Sequence, residues 1–344
     1  MTPEPPLRLH LDSEALVANW QRLDALSGKA RAGAAVKADA YGLGARRVAK
    51  VLADAGCRDF FVAYAGEAAE LDGVIDPAAI RVLHGPLSDD DTAYMKQAGL
   101  RPTINSLAQA ARWLKAVGGA CDLMVDTGIN RLGLPMEDLG NELVGRLNVC
   151  TMMSHLASAD EDSPLNAQQC ARWTEARAAV QARDYSLANS AGIVLGAEYH
   201  GTLTRPGLAL YGGVPRAELT GEVASVAKPA AMIMQVRDLS AGDTVGYNAT
   251  FTAPRPMRVG VVALGYADGF LRCWSGKGML RSNGCELPVL GRVSMDMTVI
   301  DLSAAPTLSE GDWVEMDYDL PQASHVSGLS QYELLTLLGR RFSR

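Results

Sequence analysis

The chain has 344 residues, enough for one large domain and a smaller one, because single hydrophobic cores stop growing near about 250–300 residues. The net charge is −7 and the basic residues form no stripe, which argues against nucleic acid as the main partner. The apolar runs are too short to cross a bilayer, and the first residues lack the basic and apolar regions of a signal peptide. We therefore expect a cytoplasmic protein.

Six cysteines are scattered along the chain. None belongs to a CxxC pair, and none lies near a histidine at metal-ligand spacing, so no metal centre is expected. Scattered cysteines in a chain without a secretion signal are typical of reduced residues in a protein core.

Short apolar or β-branched runs alternate with alanine-rich helical segments from residue 11 to residue 227. The helical segments have amphipathic spacing, as in Ala45–Ala55 and Leu107–Val117. Eight such alternations predict an α/β fold, a parallel sheet closed into a (β/α)8 TIM barrel. The predicted strands are Gly33–Lys37, Asp59–Ala63, Ile80–His84, Pro102–Asn105, Cys121–Asp126, Val149–His155, Tyr185–Asn189 and Gly201–Arg205.

A different pattern occupies residues 228–344, where alternating apolar and polar residues are separated by Gly, Pro and Asp. No long helix is expected there before Leu329–Leu338. This pattern predicts a C-terminal, mostly antiparallel β domain, which an N-terminal strand within residues 1–10, around Leu7–Leu11, could join. The predicted strands are Ala231–Arg237, Arg258–Leu264, Leu287–Leu290, Met297–Leu302 and Trp313–Met316.

Polar side chains recur at the carboxyl ends of the eight predicted barrel strands. Barrel enzymes build their active sites at that end, so the recurrence indicates an enzyme. The residues are Lys37, Tyr64, His84, Asn105, Asp126, His155, Asn189 with Ser190, and Arg205.

Lys37 ends the first buried strand. Burial lowers the pKa of a lysine and favours the neutral amine that forms a Schiff base. A plainer interpretation is a lysine at the barrel mouth that pairs with Asp39. Three other residues also have plainer interpretations. His155 would be structural, Arg205 would form a surface ion pair, and Tyr247 would be an exposed aromatic residue of a loop.

The loops after strands 7 and 8 are a common phosphate site in barrels. Ser190 and the backbone N–H groups of Gly207 and Leu208 suit that role, because they follow those two strands. The residues alone therefore predict a phosphate cradle at this edge of the barrel.

Seven segments, taken together, resemble motifs of the alanine racemase family, and the resemblance extends from about Leu7 to Arg341. Each segment alone would be weak evidence. They are Ala35–Gly44 (AVKADAYGLG), Val125–Gly133 (VDTGINRLG), Ser154–Asp160 (SHLASAD), Val245–Thr250 (VGYNAT), Leu264–Gly269 (LGYADG), Gly291–Asp296 (GRVSMD) and Gln331–Leu335 (QYELL), with Ala188–Ser190 and Arg205–Gly212 as the strand exits.

The resemblance implies pyridoxal 5′-phosphate as the cofactor. Lys37 would be its Schiff-base lysine and one of two catalytic bases, and His155 would pack on the pyridine ring. Arg205 would face the ring nitrogen. The phosphate would be bound by the hydroxyls of Tyr41 and Tyr332 and by the cradle of Asn189, Ser190, Gly207 and Leu208.

Arg205 bears on the type of reaction. A carboxylate beside the ring nitrogen would keep it protonated and make the ring a strong electron sink, whereas a cation keeps the nitrogen neutral and weakens the sink. Quick reprotonation at Cα is then favoured over transamination. This suits a racemase better than a decarboxylase of the same fold.

Racemisation requires a proton to leave one face of Cα and another to arrive on the opposite face, which one base on each face achieves most simply. The resemblance implies that Tyr247 is the second base and comes from the other subunit, so the enzyme would be a homodimer. Arg131 would orient the substrate carboxylate, the backbone N–H of Met295 would contact it, and Tyr266 and Asp296 would shape the site.

The expected reaction is the interconversion of L- and D-alanine, which supplies D-alanine for peptidoglycan or serves its catabolism. Three alternatives remain: a racemase of serine or a broader set of amino acids, a related decarboxylase, and a noncatalytic cofactor-binding barrel. Arg205 argues against the second, and the C-terminal domain with Tyr247 against the third.

Met124 departs from the family pattern, in which many members carry a carbamylated lysine that holds the arginine at the position of Arg131. A thioether cannot be carbamylated, so we expect no carbamate there and a different brace for Arg131, either a bound anion such as chloride or another hydrogen-bond partner from elsewhere in the chain. Smaller departures are Leu43, Asn248 and Ser294.

Overall fold

Parallel strands and helices alternate through residues 13–224, one of the two units into which the chain divides. The computed structural model describes residues 4–343. Strand β1 (Leu7–Leu11) precedes this unit and belongs to the other one. The strands of residues 13–224 are β2 (Arg31–Ala32), β3 (Ala34–Ala35), β4 (Phe60–Val62), β5 (Ile80–Val82), β6 (Arg101–Ile104), β7 (Ala120–Met124), β8 (Asn148–Met153), β9 (Asp184–Ser186) and β10 (Leu203–Thr204).

The eighth strand position closes this sheet into a barrel. Strands β3 to β9 form a seven-stranded parallel sheet in chain order. Strand β10 pairs in parallel with β2, which is separated from β3 only by Gly33. The other side of β10 faces β9. There, the N–H of Arg205, the residue after β10, donates to the carbonyl of Ala188, two residues after β9, at 2.9 Å. The predicted (β/α)8 barrel is confirmed.

Helices follow the strands and pack one face inward. In Ala45–Ala55, for example, Val48, Ala49 and Leu52 are buried at helical spacing. Serine caps begin several of the helices, because a serine hydroxyl accepts from a free N–H of the first turn. The helices are α1 (Ser13–Leu26), α2 (Lys37–Gly42), α3 (Ala45–Ala55), α4 (Ala65–Ala69), α5 (Asp89–Ala98), α6 (Leu107–Lys115), α7 (Glu142–Gly145), α8 (Pro164–Ala179) and α9 (Ser190–Ile193).

Buried charges occupy the barrel interior. The Arg81 guanidinium donates to Asp122 at 2.7 Å, to the Thr151 hydroxyl at 2.9 Å and to Asp59. Arg31 also belongs to this network, because its Nε donates to Asp59 at 2.7 Å. A buried charge is tolerated only when it is paired and hydrogen-bonded, so each member depends on the others.

Replacing Asp122 with alanine should leave Arg81 short of one partner inside the barrel. We expect a loss of about 3–5 kcal/mol in the free energy of unfolding, measured by urea denaturation. Asp54→Ala is the matched control, because Asp54 pairs with Lys50 at 2.9 Å on the surface; its loss should stay below about 1 kcal/mol. Equal losses in the two variants would show that the buried network does not stabilise the barrel.

Residues from 225 onward join β1 in the second unit. Its main sheet is antiparallel, in the order β1-β11-β14-β17-β16-β15-β18, with a further pairing of β11 to β18. This confirms the antiparallel C-terminal domain. The elements are β11 (Ala227–Leu239), β12 (Thr244–Val245), β13 (Phe251–Thr252), β14 (Met257–Val262), β15 (Met279–Ser282), β16 (Cys285–Leu290), β17 (Thr298–Asp301), β18 (Trp313–Met316), α10 (Leu320–Ser327) and α11 (Gln331–Thr336).

Strand β1 buries Leu7, Leu9 and Leu11 and exposes Arg8 and His10. It pairs antiparallel with β11. The alternation of its side chains gives it one apolar face, which packs against the core of the unit. Strand β1 thus lies in the same unit as β11, while residues 1–3 and 344 lie outside the described residues.

Several elements of this unit differ from the expectations. Helix α10 and strands β12, β13 and β15 were not expected, and the expected helix Leu329–Leu338 is shorter, spanning Gln331–Thr336. The later start has a local cause: the Ser330 hydroxyl accepts from the N–H of Glu333 at 3.2 Å and caps the helix there. Among residues 4–343, no helix is long and apolar enough to span a membrane.

Candidate functional site

Lys37 lies at the end of the first barrel strand, at the start of an unusual turn. Residues Ala38 to Tyr41 all have left-handed backbone angles, with φ between 53° and 57°. This conformation costs about 1–2 kcal/mol for each non-glycine residue, so it persists only where surrounding contacts impose it. The turn buries Tyr41 with its ring centre 4.9 Å from that of Tyr211.

The surroundings of Lys37 disfavour its charged form. Burial lowers the pKa of the amine, the cations Arg131 and Arg205 lower it as well, and the Glu67 carboxylate opposes them. Because the net direction is downward, more of the amine is neutral near pH 7 than in an ordinary lysine. The neutral amine is the form that attacks a carbonyl or accepts a proton.

His155 follows strand β8 and belongs to the same group. Burial, together with the charges of Arg205, Arg131 and Lys37, lowers its pKa to about 3. The imidazole is therefore neutral at pH 7. The charges of three other predicted site residues, Lys37, Arg131 and Arg205, therefore act on His155.

Arg205 is 7 % exposed. Its Nη1 donates to the carbonyl and the hydroxyl of Ser186 at 2.8 and 2.5 Å, and its Nη2 donates to the Ser154 carbonyl at 2.5 Å. The alternative of a surface ion pair is wrong for this residue, because its partners are buried oxygens of neutral groups. Burial and Arg81 lower the pKa of Arg205 to about 10, which leaves it a cation at neutral pH.

Hydrogen bonds connect the segments that follow strands β9 and β10. The buried Ser190 hydroxyl accepts from the N–H groups of Gly207 and Ala209 at 2.9 and 3.2 Å. Asn189 caps the short helix α9 through its side chain. A methyl group at Gly207 would lie 2.3 Å from the hydroxyl oxygen of Tyr41, so glycine is needed for this close approach.

Leu208 begins the 3₁₀ turn Leu208–Tyr211. N–H groups in the first turn of a helix lack partners within the helix, so the N–H of Leu208 points out of that turn. Leu208 directly follows Gly207, which contacts both the Tyr41 hydroxyl and Ser190.

Arg131 is exposed at the tip of the loop after β7. Asp126 shapes this loop by accepting from the N–H groups of Gly128 and Asn130 at 2.8 and 3.2 Å. Within residues 4–343, the Arg131 guanidinium makes no hydrogen bond or ion pair with another side chain. Met124 is buried at the end of β7 and offers no charge to it, so the brace expected for Arg131 stays a prediction.

The second unit brings two of the predicted substrate segments together. The N–H of Tyr266 donates to the Ser294 carbonyl, and the N–H of Ala267 to the Met295 carbonyl, each at 3.0 Å. A methyl group at Gly265 would lie 2.3 Å from the Met295 carbonyl oxygen, so only glycine allows the loops to approach this closely. Tyr266 and Met295 therefore share one rigid surface.

Asp296 is exposed and forms part of an ion-pair cluster that motif comparison missed. Arg341 donates to Asp296 at 2.7 Å and to both carboxylate oxygens of the buried Asp268 at 2.7 and 2.8 Å. Asp268 lies within one of the seven segments, but nothing in the sequence marks Arg341 as its partner. The cluster positions the loop that carries Tyr266, because Asp268 also accepts from the Gly265 N–H.

Tyr247 and Tyr332 are both on the surface of the second unit. Tyr247 is 66 % exposed and begins a turn in which Asn248 and Ala249 have left-handed φ angles. Tyr332 lies in α11 and is 43 % exposed.

Glu67 was not among the predicted site residues. It is buried, and its carboxylate accepts from the N–H of Ala38 at 2.8 Å and from the N–H of Ala63 at 2.6 Å. Ala38 follows Lys37 directly. In the sequence, Glu67 is an ordinary acidic residue in the first turn of helix α4. The sequence alone therefore gives no sign that it contacts Ala38.

Comparison with known proteins covers almost the whole chain. A family model described as alanine racemase, N-terminal domain, matches residues 11–215, and one described as alanine racemase, C-terminal domain, matches residues 226–344. The alanine racemase of Methylobacterium nodulans is 40 % identical over 98 % of this chain and 95 % of that protein. The alanine racemase of Acidiphilium cryptum is 41 % identical over 98 % of this chain and 97 % of that protein.

Comparison of structures agrees with this. The crystal structure of alanine racemase from Bartonella henselae with covalently bound pyridoxal phosphate has a TM-score of 0.90 and 33 % sequence identity, covering 99 % of each chain. Both halves of the chain therefore match one family in sequence and in fold, and the protein belongs to the alanine racemase family.

Proposed function

We propose that this protein interconverts L- and D-alanine with pyridoxal phosphate held covalently by Lys37. The single observation that carries the proposal is the electrostatic setting of Lys37: burial and the cations Arg131 and Arg205 lower the pKa of its amine, and the same two cations act on the neutral His155. Relatives that are 40 % and 41 % identical are named alanine racemases. The Bartonella henselae enzyme, of the same fold, holds pyridoxal phosphate covalently.

The residues present suit this cofactor. The close approach of Gly207 to the Tyr41 hydroxyl forms a cradle that any larger residue would fill, and the Ser190 hydroxyl lies in the same cradle. When bound, pyridoxal phosphate supplies an electron sink for the charge that develops at the substrate Cα. The phosphate would be held by Tyr41, Ser190, the backbone of Gly207 and Leu208, the α9 start at Asn189, and Tyr332.

Gly207→Ala tests the cradle. The added methyl group would collide with the rigid Tyr41 ring, and overpacking of this kind costs about 1–3 kcal/mol, so the affinity for pyridoxal phosphate should fall by about tenfold or more. Gly145→Ala is the control, because no atom lies within 4 Å of the added carbon. Absorbance titration with the cofactor measures both. Unchanged affinity in Gly207→Ala would place the phosphate elsewhere.

Arg205 would restrain the reaction to racemisation. Both of its Nη atoms are used by Ser186, Ser154 and Leu187, which fixes the guanidinium and leaves the Nε–H to face the ring nitrogen of the cofactor. Because Arg205 is a cation that does not give up its proton at neutral pH, it favours a neutral ring nitrogen. The negative charge then stays nearer to Cα, where a proton returns quickly.

Two residues would move the proton at Cα. Lys37 would take it from D-alanine, and Tyr247 of the partner subunit would take it from L-alanine; each would return a proton in the opposite direction. The exposure of Tyr247 supports a role toward a second chain, so we infer a homodimer with shared active sites. Arg131 would bind the carboxylate as a planar fork, with Met295, Tyr266 and Asp296 beside it.

A panel of substrates tests this function against its alternative, a racemase of serine or a broader set. The purified protein, with pyridoxal phosphate added, is incubated with L-alanine, L-serine and L-lysine, and chiral chromatography measures the D isomers. We expect the highest kcat/KM for alanine. Turnover of serine or lysine at a higher kcat/KM would replace alanine as the substrate, and no turnover of any would support a noncatalytic protein.

We further propose that the enzyme works in the cytoplasm and supplies D-alanine for peptidoglycan, or interconverts it for catabolism.

A further inference from the structure

Glu67 connects the exits of two neighbouring barrel strands. Its Oε1 accepts from Ala38, the residue after Lys37, and its Oε2 accepts from Ala63, directly after strand β4. The distances of 2.8 and 2.6 Å are those of hydrogen bonds to a charged acceptor. A carboxylate with both oxygens used in this way cannot turn, so Glu67 is fixed relative to the backbone of Lys37.

The same contact supports the left-handed turn. Ala38 is the first of the four residues with positive φ, and such a backbone needs an outside contact to hold it. Glu67 supplies one at the turn's first N–H. This left-handed turn places the Tyr41 ring beside Tyr211 and the Tyr41 hydroxyl beside Gly207.

Charge gives Glu67 a second role. The charged or titratable groups that act on Lys37 are Arg131, Arg205, Glu67 and His155. The first two are cations and His155 is neutral, which leaves Glu67 as the carboxylate that opposes them. A base that must both accept and return a proton works best when its pKa lies near the working pH, and the Glu67 charge limits how far burial and the two cations lower the pKa of Lys37.

We propose that Glu67 is a positioning residue of this site: it fixes the backbone at Lys37 and supplies the negative charge that offsets Arg131 and Arg205. The inference rests on the proposed function, in which Lys37 exchanges a proton with the substrate. It concerns a residue that touches neither the cofactor nor the substrate and acts through Lys37.

The test measures the titration of Lys37 directly in the full-length chain freed of cofactor. Competitive labelling with acetic anhydride across a pH series, followed by peptide mass spectrometry, gives the pH midpoint at which Lys37 becomes reactive. Glu67→Gln removes the charge and keeps the shape. Because loss of a nearby opposite charge favours the neutral amine, we expect the midpoint to fall by about one pH unit.

Two further variants separate charge from structure. Asp24→Asn removes a carboxylate that accepts from the Ala32 N–H at 2.7 Å on the same barrel strand, and it should leave the Lys37 midpoint unchanged. Glu67→Asp keeps the charge but shortens the side chain, so its midpoint should stay near that of the wild type. It also provides the charge-retaining comparison if Glu67→Gln is too unstable to label, in which case Glu67→Met supplies a second uncharged variant.

An unchanged midpoint in the uncharged variant, with a lower Tm, would make Glu67 merely structural and overturn the proposal. An equal fall in Glu67→Asp would do the same, because charge would then not be the cause. Labelling needs no turnover, so a protein without racemase activity could still show the shift. A racemase with an unshifted midpoint would refute only the role of Glu67.

Discussion

Lys37→Ala is expected to abolish racemisation of alanine, with a loss in kcat of at least about 10⁴-fold, because the variant loses both a proton-transfer group and the covalent anchor of the cofactor. The amine that the variant removes has a pKa lowered by burial and by the cations Arg131 and Arg205. Chiral chromatography of alanine after incubation with the purified variant measures the loss.

Lys29→Ala is the matched control, since Lys29 is an exposed lysine before the same barrel strand. It should keep the wild-type rate. Borohydride reduction of the wild-type holoenzyme, followed by peptide mapping, should place the cofactor on Lys37. Turnover by Lys37→Ala within about tenfold of the wild type would remove Lys37 from the mechanism.

Tyr247→Phe should lose net racemisation by about 10²–10⁴-fold, which is the usual contribution of a positioned acid or base. The loss should be equal in both directions, because the two enantiomers have equal free energy. Exchange of the α-hydrogen in deuterium oxide separates the two faces. D-Alanine should still exchange through Lys37, whereas L-alanine should not.

Tyr94→Phe, at an exposed tyrosine of helix α5, is the control and should exchange both enantiomers normally. Mixing and reassociating the Lys37→Ala and Tyr247→Phe chains tests the shared site. A mixed dimer would regain one complete site, so about a quarter of the wild-type activity should return after random assembly. Exchange of L-alanine at the wild-type rate by Tyr247→Phe would contradict the two-base mechanism, and no recovery on mixing would contradict a site shared between subunits.

Periodicity predicted the regular elements well. The expected segments Leu7–Leu11, Ala45–Ala55 and Trp313–Met316 have the observed bounds, because each carries an apolar face of the right period. Strand β15 (Met279–Ser282) was missed, since its sequence MLRS has two apolar residues followed by two polar ones and so shows no alternation. The left-handed turn at Ala38–Tyr41 runs against the local preference of every residue in it, so only its tertiary contacts could reveal it.

The candidate site was partly accessible from sequence. Lys37, His155 and Arg205 follow apolar strands, and the topology of a barrel brings such positions together. The partners of these residues were not accessible, because Glu67 reaches Ala38 across 29 positions and Arg341 reaches Asp268 across 73. Buried Arg81 and Asp122 interrupt their strands with charge, which is a visible sign of a network but does not identify its members.

The most direct measurement is the approach of each pure enantiomer of alanine to equilibrium. The wild-type protein with pyridoxal phosphate should convert either L-alanine or D-alanine into an equal mixture of both, with no pyruvate or ethylamine formed. Chiral chromatography with mass detection follows all of these compounds in one experiment. Unchanged enantiomers, or ethylamine or pyruvate as the main product, would contradict the assignment of this chain as an alanine racemase.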